Sequence, residues 1–182
     1  MADSKTLTSK LIRANEVADG DLTKIQQGYE RLASRPHLPP KSGITLGFGY
    51  DLGQQTMADF EEDWKGVLTP EQIQRLKPYT KDAPTRPKKP IKATTPVPYK
   101  EAATAAAVTA TRDILIRHDD AARVFEDKIL PKYRARAMKR FPGLEHMSPE
   151  VQAAVIDRVY ARGEYADPKK EPLKAKLYFE IE

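Results

Sequence analysis

The sequence contains no cysteine among its 182 residues. Disulfide bonds, thiol catalysis and cysteine-based metal sites are therefore excluded. Histidine is also scarce, and the three histidines, His37, His118 and His146, do not share the spacing of metal ligands. Any chemistry of this protein is therefore expected to be carried by ordinary side chains, without a metal ion or a cofactor.

Long hydrophobic runs are absent too. No apolar stretch approaches the ~20 residues that a membrane-spanning helix needs. The first residues, Met1–Lys5, lead into no apolar segment of the kind found in secretory signals, so no such signal is expected. The content of 40% hydrophobic and 31% charged residues is typical of a globular protein. A formal net charge of +5 favours a polyanionic partner, which is nucleic acid, an anionic membrane surface or a cell-wall polymer.

Composition divides the chain into three parts. Residues 1–80 are expected to form helices and a short β-hairpin. Residues 81–100 are rich in proline and lysine, which predicts a solvated linker, with a polybasic binding strip as the alternative. Residues 101–182 carry helical patterns. The expected fold class is α+β, with a small hairpin lobe, a mostly helical lobe, and a cleft between them as the default place for a site.

Local signals predict several helix boundaries. A first helix is expected over 6–18, and a second from about residue 22 with Asp21 as its N-cap. Thr69, followed by proline and by Gln72 at the third helical position, predicts another helix start. Pro131 lies within an apolar helical pattern, so a kink or break is expected there.

The stretch Gly43–Gln55 is the most distinctive part of the sequence. Its glycines alternate with apolar, β-forming residues, and glycines at such spacing indicate a bend or a close backbone approach. Thr45 and Asp51 add a hydroxyl and a carboxylate to this otherwise apolar turn. Two interpretations stay open, the wall of a cleft and a hairpin that merely turns, because a short glycine-spaced pattern is a weak motif.

A second carboxylate precedes this stretch. Glu30 is predicted at the edge of the apolar face of the second helix, where it either faces a cleft or faces water. Two carboxylates across a cleft are what glycoside hydrolysis requires: one donates a proton to the leaving oxygen, and the other stays ionised and activates water. Thr45 could orient that water. With 26 acidic residues in the chain, an acidic pair beside a turn also arises by chance.

Four segments carry a resemblance to a known family. Tyr29–Leu32, His37–Pro39 and Ser42–Gln54 resemble the active-site region of phage-type lysozymes, most closely the branch of the pesticin-type muramidases. Val151–Gly163 resembles the family's helix that ends in Val-Tyr-Asn-Arg-Gly. The resemblance implies a lysozyme-like fold. It also implies a peptidoglycan hydrolase that cleaves the β-1,4 bond between N-acetylmuramic acid and N-acetylglucosamine.

By this resemblance Glu30 is the catalytic acid, Asp51 the base or electrostatic partner, and Thr45 the residue that positions water. His37 stands where the family has a tyrosine and is expected to contact substrate. Tyr50 is expected either to stack on a sugar or to pack the hairpin. For the C-terminal helix, Arg162 is expected either to reach a substrate carboxylate or to cap the helix end.

The resemblance also implies a monomer that is made in the cytoplasm and acts on the cell wall after release or delivery. Peptidoglycan is then the expected partner, with neither nucleic acid nor membrane. Departures from the family pattern at Arg31, His37 and Ala161 motivate an alternative, an inactive wall-binding domain of the same fold. A register that places Gln27 at the acid position competes with Glu30. A basic nucleic-acid binder is the third hypothesis, although no recognition motif supports it.

Overall fold

The computed structural model describes residues 3–18, 20–39, 42–83 and 105–162. The predicted linker lies outside the described residues from position 84 onward, as does the segment after Arg162. The chain divides into two compact units, one formed by Met1–Ile12 with Pro131–Glu182 and the other by Arg13–Leu130. Most of the predicted site residues belong to the second unit.

The described residues form a mixed α and β structure that consists of helices and a single two-stranded antiparallel sheet. The expected α+β class is confirmed at this level. In chain order the elements are α1 (Ser4–Val17), α2 (Ile25–Leu32), β1 (Thr45–Leu46), β2 (Tyr50–Asp51), a 3-10 turn (Leu52–Gln54), α3 (Met57–Asp63), α4 (Pro70–Leu76), a 3-10 turn (Lys77–Tyr79), α5 (residues 105–110), α6 (His118–Val124), a π-helical segment (Phe125–Ile129), α7 (Leu130–Arg140), a 3-10 turn (Leu144–His146) and α8 (Pro149–Arg162).

Helix α2 begins three residues later than expected, and the reason is local. The Asp21 carboxylate accepts hydrogen bonds from the Thr23 backbone N–H (2.9 Å) and the Thr23 hydroxyl (2.7 Å). The Thr23 hydroxyl, together with the Lys24 ammonium at 2.9 Å, lowers the pKa of Asp21 to about 2. Asp21 therefore closes a turn over residues 22–24 and is not the N-cap of the helix, so that prediction was wrong.

The start of α4 is confirmed in detail. The Gln72 backbone N–H donates to the Thr69 hydroxyl (3.2 Å), and the Thr69 backbone N–H donates to the Gln72 side-chain oxygen (2.9 Å). This reciprocal pair is a capping box with proline at the first helical position. It satisfies two backbone donors that would otherwise lack partners at the helix start.

Pro131 does not break its helix. Helical structure runs without interruption from His118 to Arg140, and the turn just before the proline is a π-helical segment. There the Leu130 N–H donates to the Phe125 carbonyl, five residues earlier. Because proline has no N–H to donate, a widened turn is one way for a helix to pass through it. Of the expected kink or break, the break is therefore wrong, and a π-helical turn directly precedes the proline.

The core of the unit Arg13–Leu130 is aromatic. Tyr29 of α2 contacts Phe48 in the hairpin turn with ring centroids 4.8 Å apart, and its hydroxyl donates to the Ile116 carbonyl at 2.9 Å. Burying side chains of this size contributes about 1.5–3 kcal/mol each. Phe48 lies between Gly47 and Gly49, which both adopt positive φ (53° and 81°), so the tight turn needs glycine there. Helix α2 is in this way packed onto the turn of the hairpin.

Candidate functional site

Three of the predicted site residues lie side by side in the sheet. Thr45 pairs with Asp51 in the antiparallel register of β1 and β2. On its other side Thr45 forms an antiparallel bridge with His37, in which each backbone N–H donates to the other residue's carbonyl (3.1 and 2.9 Å). Directly opposed residues in antiparallel pairs project to the same face. His37, Thr45 and Asp51 therefore form one cross-strand row, called here the polar row.

Thr45 is the centre of the polar row and is only 2% exposed. Its hydroxyl donates to the Gly43 carbonyl at 3.1 Å, two residues earlier in the chain. A threonine hydroxyl keeps acceptor capacity when its proton is donated in this way. The buried hydroxyl therefore keeps the acceptor capacity that a water-positioning residue needs.

Asp51 is 8% exposed, and its carboxylate holds the turn that follows β2. Its Oδ1 accepts from the Gly53 backbone N–H at 2.7 Å, and its Oδ2 accepts from the Gln54 side-chain amide at 3.2 Å. Asp51 is thus the N-cap of the 3-10 turn. A Cβ at Gly43 would lie 2.7 Å from Oδ1, so glycine is what allows the carboxylate to fit here.

His37 is half-buried, and a hydrogen bond to a nearby backbone carbonyl fixes the orientation of its ring. Its Nδ1 lies 3.1 Å from the Arg35 carbonyl, which can only accept a hydrogen bond. The ring proton is therefore on Nδ1, and Nε2 is left as an acceptor. Burial lowers the pKa of His37, and the hydrogen bond to Arg35 opposes this shift only in part. The neutral ring is the form that is favoured at neutral pH.

Glu30 lies on a different element, α2, and is exposed. Its Oε1 accepts a hydrogen bond from the Gln26 amide at 3.2 Å, one helical turn earlier. Its backbone carbonyl accepts from the Ser34 hydroxyl at 2.8 Å. Neighbouring Tyr29 packs on the hairpin turn, so the end of α2 that carries Glu30 is anchored to the same hairpin as the polar row.

Two roles were expected for Tyr50, stacking on a sugar and packing the hairpin. The structure shows the packing role. It is 2% exposed, its ring meets Trp64 edge-on at 5.5 Å, and its hydroxyl donates to Asp63 Oδ2 at 2.9 Å. Burial, and then the charge of Asp63, raise the pKa of the Tyr50 phenol. In this position the ring presents no face on which a sugar could stack.

Arg162 is the last residue of α8, in the unit that contains Pro131–Glu182. Its side chain is outside the described part of the structure, so both expected roles of Arg162 stay predictions. The structure thus brings His37, Thr45 and Asp51 together, places Glu30 on the adjoining helix, and puts Tyr50 in the core.

A close contact between α1 and α2 was not anticipated. A Cβ at Gly28 would lie 2.0 Å from the Val17 carbonyl, so α2 lies directly against the C-terminal end of α1. Glu16, an exposed acid in the last turn of α1, is thereby brought close to the helix that carries Glu30. The signal was present in the sequence: a glycine inside an amphipathic helix often marks a close backbone approach.

A groove of about 330 Å³ lies elsewhere in the same unit and includes none of the predicted site residues. It is lined by the end of α3, the following turn, the end of α6 and the π-helical segment; among the lining residues are Glu62, Lys65, Arg123, Asp127 and Lys128. Charges of both signs line it, so it has no net preference for an anion or a cation.

Within the described residues no group of three or more histidine or acidic side chains is arranged to hold a metal ion. The helices of that same part include none long and apolar enough to cross a membrane.

Compared with known proteins, the chain matches no family model, no curated protein and no solved structure. The class that the structure itself defines is a mostly helical α and β protein with a polar row on a short sheet.

Proposed function

We propose that this protein is a peptidoglycan hydrolase, a muramidase that cleaves the β-1,4 bond between N-acetylmuramic acid and N-acetylglucosamine. The observation that supports the proposal is the polar row. It places a carboxylate, a hydroxyl and an imidazole acceptor on one face of a short sheet, beside a helix that carries an acid. A lysozyme-like fold is part of the same proposal.

In this mechanism Glu30 is the general acid. Its exposed carboxyl donates a proton to the leaving glycosidic oxygen when the glycan is bound. The Asp51 carboxylate stabilises the positive charge that develops on the sugar, or takes a proton from the attacking water. Thr45 holds that water through its acceptor lone pairs, and His37 accepts a hydrogen bond from a sugar hydroxyl through Nε2.

The test is the clearing of a suspension of purified peptidoglycan together with the release of reducing ends. We expect Glu30→Gln to clear at least ~100-fold more slowly than the parent, the range for loss of a general acid. Glu71→Gln, which removes an exposed carboxylate from the first turn of α4, is the matched control and should clear at the parent rate.

Glu16→Gln completes the experiment because Glu16 is an exposed acid in the last turn of α1, whose C-terminal end lies against Gly28 of α2. If Glu16→Gln abolishes clearing and Glu30→Gln does not, the protein is still a peptidoglycan hydrolase, but its general acid is Glu16 and not Glu30. If the parent releases no reducing ends at any enzyme concentration, the hydrolase proposal is overturned.

One observation favours a second candidate, an inactive wall-binding domain. Both oxygens of the Asp51 carboxylate are engaged in holding the turn, which is a structural role that needs no catalysis. Such a protein would sediment with insoluble peptidoglycan and release no reducing ends. The same assay, with a sedimentation step, therefore separates the two functions.

A further inference from the structure

The groove of about 330 Å³ formed by the end of α3, the following turn, the end of α6 and the π-helical segment is called here the α3–α6 groove. Its volume is at the lower end of the roughly 300–1,000 Å³ that small-molecule sites occupy. Three acidic and three basic side chains line it; they are Glu62, Asp63, Asp127, Lys65, Arg123 and Lys128. The groove therefore has the size for a small molecule, and its formal charge is zero.

Two of these six charged side chains are used by the fold. Asp63 Oδ2 accepts a hydrogen bond from the Tyr50 hydroxyl at 2.9 Å, which ties the end of α3 to β2. The Arg123 guanidinium donates to Asp120 Oδ1 at 3.1 Å, one turn earlier in α6. Both contacts hold the lining of the groove in place without a ligand.

The other four charged side chains have no such role. Within the described part of the chain, the side chains of Glu62, Lys65, Asp127 and Lys128 form no hydrogen bond or ion pair, either with one another or with other residues. Lys128 is half-buried and the other three are exposed. Each lysine thus keeps its donors, and each carboxylate its acceptors, for a ligand.

The turn after α3 forms a fixed wall of the groove. The carbonyl of the buried Trp64 accepts hydrogen bonds from the backbone N–H groups of Val67 (3.0 Å) and Leu68 (3.1 Å). Within this turn Gly66 adopts a φ of 76°, which favours glycine, and no heavy atom lies within 4 Å of the position that a Cβ would occupy. Lys65 is therefore carried by an ordered backbone beside open space, and such preorganisation lowers the cost of binding.

The other wall of the groove is helical. Asp127 and Lys128 lie in the π-helical segment, four residues after Arg123 and Val124 of α6. Residues with this spacing are neighbours on the surface of a helix, so the two charges emerge beside Val124, which is buried. Turns of π-helix occur frequently at functional sites. This wall therefore offers a charge of each sign next to an apolar side chain.

The charges of the α3–α6 groove select one class of ligand. A simple anion would meet two free carboxylates, and a simple cation would meet two free ammonium groups. An uncharged ligand would cover charged groups without compensating them, which costs free energy. A zwitterion instead presents a carboxylate to the lysines and an ammonium group to the acids, so that charges of both signs are paired.

We propose that the α3–α6 groove binds a small zwitterion, a molecule that carries both an ammonium group and a carboxylate. Lys65 and Lys128 hold its carboxylate, and Glu62 and Asp127 hold its ammonium group. Two sources supply this chemistry, a free α-amino acid and a short peptide with free amino and carboxyl ends. The proposal is independent of the proposed function, because the groove includes none of the residues of the polar row.

The test is a titration of the isotope-labelled, full-length protein, followed by NMR through its backbone amide signals. The ligands are glycine, glycylglycine and triglycine, each compared with its N-acetyl form, which is an anion, and with its C-terminal amide, which is a cation. We expect the shifted signals to come from residues 62–67 and 123–128. At least one zwitterion should bind about tenfold or more tightly than its singly charged analogues, because each analogue lacks the charge-assisted hydrogen bonds of one end.

Two double variants assign the two ends of the ligand. Lys65→Gln/Lys128→Gln should abolish the preference for the zwitterion over its amide, because the carboxylate has lost its partners. Glu62→Gln/Asp127→Asn should abolish the preference for the zwitterion over its N-acetyl form. All four substitutions replace a charged side chain by a polar one of similar size, so the fold should be retained, as judged by the amide signals outside the groove.

The matched control removes two exposed lysines outside the groove, Lys10 and Lys81, as Lys10→Gln/Lys81→Gln. It has the same net charge as the lysine variant of the groove and should bind like the parent. Tightest binding of glycine identifies an amino acid as the ligand, and tightest binding of a longer zwitterion identifies a peptide. The proposal is overturned if no zwitterion shifts the groove signals, if a singly charged analogue binds equally well, or if the control loses as much affinity as the groove variants.

The clearing assay keeps this proposal separate from the proposed function. A protein that binds the zwitterion and releases no reducing ends from peptidoglycan would refute the hydrolase and leave the groove assignment intact. A protein that clears peptidoglycan and binds no zwitterion would refute the groove assignment alone.

Discussion

Gly43 and Asp51 approach so closely that a Cβ on the glycine would lie 2.7 Å from the aspartate Oδ1. This contact joins a residue two positions before β1 to the residue that caps the turn after β2. The Asp51 carboxylate therefore has a defined position only because position 43 lacks a side chain.

Gly43→Ala should accordingly displace the Asp51 carboxylate. We expect a loss of about 1–3 kcal/mol in the free energy of unfolding, typical of an overpacked site, measured by urea denaturation. The loss should shrink when Asp51 is already alanine, because the clashing atom is then gone. Additive losses in this double-mutant cycle would show that the two residues do not communicate.

Asp51→Asn separates the capping role of Asp51 from its catalytic role. Asparagine is as good a cap as aspartate, so the free energy of unfolding should change by less than about 1 kcal/mol. Clearing of peptidoglycan should fall by at least ~100-fold, because the charge that stabilises the reacting sugar is lost. Unchanged clearing by a stable Asp51→Asn protein would remove Asp51 from the mechanism.

Gly28→Ala should be among the most destabilising single substitutions in α2. The added Cβ would lie 2.0 Å from the Val17 carbonyl, which is backbone and cannot rotate away. We expect a loss of about 3 kcal/mol, at the upper end for overpacking, and a lower melting temperature. Gln27→Ala, on the exposed side of the same helix, is the control and should be nearly neutral. Similar melting temperatures for both variants would contradict the close helix contact.

Tyr50→Phe removes the hydroxyl that donates to Asp63 and should destabilise the protein by about 1–3 kcal/mol. Because burial raises the pKa of Tyr50 in the folded state, the folded protein holds its phenol proton more tightly than the unfolded chain. Stability is then fully present below about pH 10 and falls as the pH rises above it. The fall should be less steep in Tyr50→Phe, as measured by urea denaturation between pH 9 and pH 11, and an identical slope would count against the buried phenol.

The His37 ring predicts that the stability of the protein depends on pH in the acid range. Burial lowers the pKa of its imidazole, so below about pH 6.5 the unfolded chain takes up a proton that the folded protein resists. The corresponding stability is present above that pH and is lost as the pH falls through the folded value. His37→Gln should therefore show a flatter stability profile than the parent between pH 7 and pH 5, and parallel profiles would refute the burial of the ring.

Local signals predicted the parts of the fold that local chemistry controls. The start of α4 depends on Thr69 and Gln72, which are three residues apart, and it formed as expected. The hairpin pairing of Thr45 with Asp51 also follows from a short glycine-rich turn. By contrast, Asp21 is as suitable for closing a turn as for capping a helix, and the sequence does not distinguish the two uses.

By itself, the sequence determined the absence of thiol chemistry, the basic charge, the helical and hairpin composition, and the residues available for a two-carboxylate site. Only the tertiary structure determined where those residues lie in the fold. It packed the Tyr50 ring against Trp64, placed His37 beside Thr45, and brought α1 against Gly28. Such contacts join separate elements of the chain, so they depend on shape complementarity in three dimensions, which one-dimensional spacing does not encode.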